Sequence, residues 1–150
     1  MFCFNYVNLR QMMNTRQTIT NGQKTESGSL SDMPFTDTNA VAYSMLNSAS
    51  GAKYFKIGTG TTPASVDDYK LETPISSGYS ATFSVDNDGN RVVTITNTGS
   101  TPLSISEVGL YESIQSGGSS LYCLIERTVF DAPFTIPVSG VGIIKISITY

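Results

Sequence analysis

Six of the twelve carboxylates are the candidates for acid–base catalysis in this sequence. The chain has no histidine, which removes the commonest general base, the usual metal ligand and every Ser-His or Cys-His nucleophile. Nothing in the sequence brings two of the carboxylates together as a glycosidase pair requires. We therefore interpret them as solvated surface groups, and we expect no catalytic residue and no enzymatic activity. The six are Asp67, Asp68, Glu107, Glu112, Glu126 and Asp131.

Two short motifs could bind an ion, but neither has the full pattern. The Gly-Thr-Gly-Thr-Thr run at 58–62 lacks the Gly-Lys-Ser/Thr ending of a phosphate-binding loop. The Asp-Asn-Asp-Gly-Asn run at 86–90 would place Arg91 and Asn97 where a calcium loop needs Gly and Glu. A structural turn and a hairpin turn explain them better. We expect no cofactor and no metal.

The two cysteines, Cys3 and Cys123, are 120 residues apart and match no metal or redox spacing. We expect two free, partly buried thiols, with a disulfide as the alternative.

Charge is distributed unevenly along the chain. The first 24 residues carry Arg10, Arg16 and Lys24 and no acid, so they hold +3 of a net charge of −3, and the remaining body holds −6. This indicates an arm that docks on the acidic body of a neighbouring copy; a chance distribution is the alternative. Three cations are too few for nucleic-acid binding.

No apolar run of 18 residues and no secretory signal occurs, so we expect no membrane association.

Composition divides the chain near Met33–Asp37, into an arm and linker over 1–36 and a β domain over 37–150. The linker, Asn21–Asp32, is polar and has no apolar residue before Leu30. A short helix is predicted over Ala40–Leu46. The aromatic start of the arm, together with its cations, is the candidate assembly element: Phe2, Phe4, Tyr6, Arg10, Arg16 and Lys24.

From Lys53 onward apolar and polar residues alternate with period two, with turn signals every 8–12 residues. Seven or eight short strands of this kind are typical of a mostly-β protein, an antiparallel sandwich of the jelly-roll or immunoglobulin-like type. Asp86–Asn90 is the predicted hairpin turn. The predicted strands are Lys53–Ile57, Tyr69–Ile75 (an edge strand, because Pro74 limits pairing), Ser80–Val85, Arg91–Asn97, Leu103–Tyr111, Leu121–Phe130 and Gly142–Tyr150.

Four segments in order resemble structural proteins of tailed bacteriophages. The loop beginning Lys56-Ile57-Gly58-Thr59-Gly60 and continuing to Pro63 resembles their GTGTTPPS loop, and Ile105–Tyr111 resembles their I-S-E-V-G-L-Y strand. Leu124–Phe130, Pro133–Pro137 and an apolar last strand follow as in those proteins. The resemblance spans about residues 53–150. It implies a virion protein made in the bacterial host cytoplasm, and it carries no catalytic residue.

The residues of these motifs also have expected structural roles. Gly58 and Gly60, with Pro63, favour a tight crossing loop, and Glu107 is suited to accept bonds from loop amides. Gly109 would let a second sheet or a neighbouring backbone approach closely.

The predicted function is therefore structural: an auxiliary head or tail protein that contacts copies of itself and other virion proteins. The alternative is a carbohydrate- or receptor-binding module of a phage fibre, with its aromatic residues facing a host glycan. The absence of Trp argues against that alternative.

Overall fold

The computed structural model describes residues 1, 3, 19–33, 55–87, 90–116 and 119–146. Within these ranges all regular structure is strand, and no helix occurs, so none is present that could cross a membrane. The helix predicted over Ala40–Leu46 lies outside the described residues. The strands are β1 Ile19–Lys24, β2 Leu30–Met33, β3 Phe55–Gly58, β4 Tyr79–Val85, β5 Arg91–Asn97, β6 Leu103–Ser116, β7 Ser119–Ile136 and β8 Val141–Ile146.

Two antiparallel three-stranded sheets form the body, one in the order β3-β6-β7 and the other in the order β4-β5-β8. The predicted antiparallel β-sandwich is thus confirmed. The apolar faces of both sheets meet in one core, which includes Phe55, Ile57, Val93, Ile95, Ile105, Val108, Leu110 and Ile136.

Alternation explains which side of the β4-β5-β8 sheet is buried. Val93 and Ile95 of β5 are fully buried, and Ile144 and Ile146 of β8 pack against the same core. The predicted hairpin between β4 and β5 is present, since Val85 pairs with Arg91. The Asp86 amide donates to the Asn90 carbonyl (2.9 Å), and the Asn90 amide donates to Asp86 Oδ1 (2.9 Å).

A register shift in β6 positions the candidate site. The β6–β7 pairing shifts between Ile105 and Glu107. Ile105 and Val108 both face the core although they are three residues apart, which a regular strand does not allow. The shift therefore leaves Glu107 and Gly109 on the outer face of the β3-β6-β7 sheet.

The prediction of an edge strand over Tyr69–Ile75 is wrong. This segment makes a single isolated bridge, between Gly58 and Pro74, and otherwise crosses the outer face of the sheet as a loop. Pro74 has no amide to donate, and the amides of Glu72 and Thr73 donate to the Glu107 carboxylate instead of to a strand.

The segment interpreted as a linker contains a hairpin, formed by β1 and β2. The turn runs over Thr25–Ser29, where Gly28 adopts a φ of 84°. The hairpin packs on the same chain: Gln23 is fully buried, and Lys24 Nζ lies 4.0 Å from the centre of the Tyr69 ring. The polar composition of the segment did not indicate this hairpin, because the residues against which it packs lie in the body.

A carboxylate–arginine network as the candidate functional site

Glu107 on β6 and Arg127 on β7 form a buried ion pair on the outer face of the β3-β6-β7 sheet. Arg127 stands opposite Gly109, two residues from Glu107, so both side chains lie on one face. Glu107 is fully buried and Arg127 is 2% exposed. Arg127 Nε donates to Glu107 Oε2 over 2.8 Å.

Both carboxylate oxygens of Glu107 are fully engaged by donors. Oε1 accepts the amides of Gly60 (3.1 Å) and Thr73 (2.7 Å). Oε2 accepts the Glu72 amide (3.1 Å) as well as Arg127 Nε. Four donors on one buried carboxylate compensate the cost of burying its charge.

Arg127 also binds two loop carboxylates. Its Nη1 lies 3.0 Å from Asp68 Oδ2, and its Nη2 lies 3.5 Å from Glu72 Oε2. Burial alone would lower the pKa of Arg127, but the bonds to Glu107 and Asp68 outweigh that effect and raise it. The Thr62 hydroxyl and amide both donate to Glu72, and these bonds, with the nearby Arg127, lower the pKa of Glu72.

The two loop glycines leave space for the carboxylate. A Cβ on Gly60 would lie 2.6 Å from Glu107 Oε1, and a Cβ on Gly58 would lie 2.6 Å from the Thr73 carbonyl oxygen. Neither glycine has a positive φ, so their role is close packing of the loop on Glu107. Pro63 follows on the exposed side of the same loop.

Gly109 has a different role from the one expected. A Cβ there would lie 2.9 Å from Leu71 Cδ2 and 2.9 Å from Leu124 Cδ1, so side chains, not a backbone, approach it. The adjacent Tyr111 hydroxyl accepts the Leu71 amide (3.2 Å), and burial raises the pKa of Tyr111. Gly109 therefore makes room for the buried Leu71, which fixes the loop to the sheet.

The interpretation of the carboxylates as solvated surface groups is wrong for Glu107, while its expected bonds to loop amides are present. Asp68 joins it through Arg127. Glu126 and Asp131 lie outside the network, and the Glu112 side chain is outside the described residues. Sequence reasoning missed Arg127 and Glu72. The available signal was Arg127 within the predicted strand Leu121–Phe130, where seven of the ten residues are apolar. A cation in such a strand is costly unless it is paired.

The network is suited to hold a loop in place and not to transfer protons. Each Glu107 oxygen already accepts two hydrogen bonds, and Arg127 is surrounded by three carboxylates. No group of three or more metal-ligating side chains occurs in the described ranges. The Asp86–Asn90 turn is a hairpin connection remote in sequence from this network.

The cysteines are both free, as predicted, and both are fully buried where partial burial was expected. Cys3 packs with Tyr111 and Leu124, and Cys123 Sγ lies 3.8 Å from Gln23 Oε1. Burial raises the pKa of Cys3 to about 11 and that of Cys123 to about 12. Neither thiol is activated as a nucleophile.

Of the candidate assembly residues, the structure describes only Lys24, which stacks on Tyr69 of its own chain. Phe2, Phe4, Tyr6, Arg10 and Arg16 lie outside the described residues. The chain matches no protein-family model, no curated protein and no solved structure.

Proposed function

We propose that this protein is a structural subunit of a bacteriophage virion, an auxiliary head or tail protein that acts through contacts with copies of itself and with other virion proteins. The carboxylate–arginine network supports this proposal, because the buried charged groups of Glu107 and Arg127 hold the loop over 59–75 in place. The ordered resemblance to phage structural proteins supports the virion assignment.

The outer face of the β4-β5-β8 sheet carries the proposal. Because apolar and polar residues alternate along these strands, the side chains on this face are almost all uncharged, and Lys145 adds a positive charge. At the β8 edge Val141 is 58% exposed and Ile143 is 64% exposed. Exposed apolar residues on an edge strand favour pairing with another protein surface. The uncharged members of this face are Ser80, Thr82, Ser84, Val92, Thr94, Thr96, Val141 and Ile143.

Ile143→Thr is the variant that tests this surface. Its side chain is mostly exposed, so the substitution should leave the fold intact and weaken self-association at least tenfold. Sedimentation velocity over a concentration series measures the association. Val66→Thr is the matched control, because Val66 is 49% exposed in the loop on the opposite side of the sandwich.

A wild-type protein that sediments only as a 16.1 kDa monomer at high concentration would contradict self-association.

Antibody labelling of intact phage particles, viewed by electron microscopy, tests the virion assignment and separates head from tail. A glycan array tests the fibre alternative: specific glycan binding by a monomer would favour that alternative over an assembly subunit.

A further inference from the structure

Residues 1 and 3 extend the β3-β6-β7 sheet by pairing with the outer edge of β7. Met1 and Arg127 exchange two bonds, from the Met1 amino group to the Arg127 carbonyl (2.8 Å) and from the Arg127 amide to the Met1 carbonyl (3.0 Å). The Cys3 amide donates to the Ile125 carbonyl (2.8 Å). The pairs 1/127 and 3/125 define an antiparallel register.

A side-chain contact anchors this short segment. Cys3 is fully buried and forms a cluster with Tyr111 and Leu124, both of which belong to the body. The β7 edge and this apolar contact together form an acceptor site for an extended segment. Backbone bonds supply affinity, and the buried side chain sets the register.

The connection to the hairpin is much longer than the distance it must bridge. Gln23 of β1 contacts Cys123 of β7, and Cys3 pairs with Ile125, two β7 residues or about 7 Å away. The connection meets β1 at Ile19, four strand residues or about 13 Å from Gln23, so its two ends lie within roughly 30 Å of each other. The fifteen residues 4–18 that join them can reach about 50 Å when extended.

That reach exceeds the size of the body. A chain of this length folds to a radius of gyration of roughly 15 Å. The segment can therefore reach the acceptor site of an adjoining copy while its own hairpin stays docked. The joining residues carry Arg10 and Arg16 and no acid, and the rest of the chain after residue 24 holds the acidic excess, so crossing to a second copy is electrostatically favourable.

We propose that residues 1–3 exchange between copies, each segment adding a strand to the β7 edge of a neighbour, so that the acceptor site is an interface between subunits. This inference rests on the proposed self-association. It differs from docking of the whole arm, because the β1–β2 hairpin remains on its own body and only the residues before β1 cross.

A disulfide trap distinguishes a segment held within its own chain from an exchanged one. Ile125→Cys places a thiol opposite Cys3, where paired antiparallel Cα atoms lie about 5.5 Å apart, a separation that a disulfide spans. Cys123→Ser in the same chain removes the competing thiol. Adding Cys3→Ser gives the control, which should not crosslink. The sample is the assembled fraction from sedimentation, oxidised with copper phenanthroline and run on a non-reducing gel.

Exchange predicts disulfide-linked species of two or more chains, and these should convert to single chains on reduction. Crosslinks found only within chains, or no crosslink at all, in a sample that does assemble would overturn the exchange and leave self-association standing. A protein that never assembles overturns both.

Because Ile125 is fully buried, its substitution needs an independent check. Chains carrying p-benzoylphenylalanine at position 2 keep an aromatic residue there and alter no buried position of β7. In an assembly of mixed ¹⁴N and ¹⁵N chains, photocrosslinks to β7 that join heavy and light peptides support exchange. Peptides joined only within one isotope overturn it.

Discussion

Glu107 accepts four hydrogen bonds, two on each oxygen, and three of the donors are loop amides. A buried carboxylate of this kind stabilises a fold only while all its donors are present, because removing one partner leaves a charge without compensation. The free energy of unfolding should therefore respond strongly to changes at this residue.

Glu107→Gln keeps the size of the side chain and replaces one acceptor oxygen with an amide group that faces donors. We expect the free energy of unfolding to fall by roughly 3 kcal/mol, and the Tm by about 10 °C, measured by urea and thermal unfolding. Glu126→Gln is the control, since its ion contact is to the Met1 amino group at 3.9 Å and should be worth less than about 1 kcal/mol. Equal losses in the two variants would show that the network has no special role.

At the scale of elements, the loop over 59–75 is fixed to the sheet by close packing as well as by hydrogen bonds. Gly58 and Gly60 admit the Glu107 carboxylate, and Gly109 admits Leu71. These contacts differ in how easily they can relax: the Gly58 position is limited by a backbone carbonyl, and the Gly109 position by the ends of flexible leucine side chains.

Gly109→Val should lower the Tm clearly, and Gly109→Ala less so, because Leu71 and Leu124 can shift. Gly58→Ala should cost more than Gly109→Ala, towards the upper end of the roughly 1–3 kcal/mol typical of overpacking. Differential scanning calorimetry measures the order. Gly99→Ala is the milder comparison, because its added Cβ would lie 3.3 Å from Asn97 Oδ1, a contact that a shift of a few tenths of an ångström relieves. An unchanged Tm for Gly109→Val would contradict the packing role of that glycine.

The sequence predicted best those elements whose signals are local. Strands β4 and β5 and their hairpin follow from clean alternation and a turn at Asp86–Asn90. The loop over 69–75 could not be predicted, because its amides donate to side chains far along the chain. The hairpin over 19–33 pairs locally, but its polar residues pack on the distant Tyr69 and Cys123, and no alternation marks its strands. The pairing of Glu107 with Arg127 depends on strand register and on the shift in β6, which composition does not reveal.

At the scale of the whole molecule, the β3-β6-β7 sheet is covered on both faces. One face meets the second sheet, and the other meets the loop, the hairpin and the Cys3 side chain. This covering buries both cysteine thiols and the Tyr111 hydroxyl group, whose pKa values are all raised. The folded state therefore favours their neutral forms.

Stability should fall at alkaline pH. Each thiol is neutral when protonated, and its pKa is higher in the folded protein than the value of 9.0 in the unfolded chain. Burial of the neutral thiol therefore stabilises the fold fully below pH 9.0. This contribution is lost as the pH rises towards about 11 for Cys3 and about 12 for Cys123. Between pH 8 and pH 10.5 we expect a loss on the order of 1–2 kcal/mol for each thiol. Thermal unfolding across this range measures it.

The double variant Cys3→Ser, Cys123→Ser provides the comparison, because serine does not ionise in this range. Its Tm should depend less steeply on pH than that of the wild type, whatever its absolute stability. Parallel pH profiles would indicate that thiol burial contributes nothing to the alkaline transition.

The attachment of the 59–75 loop to Glu107 and Tyr111 determines how fast the loop amides exchange their hydrogens with solvent. The amides of Gly60, Leu71, Glu72 and Thr73 belong to a segment without regular secondary structure, yet all four donate to side-chain oxygens of β6. In deuterated water they should exchange slowly, at rates usual for strands. The loop can release them only by leaving the sheet as one unit, so the four protons should be lost together and not one after another.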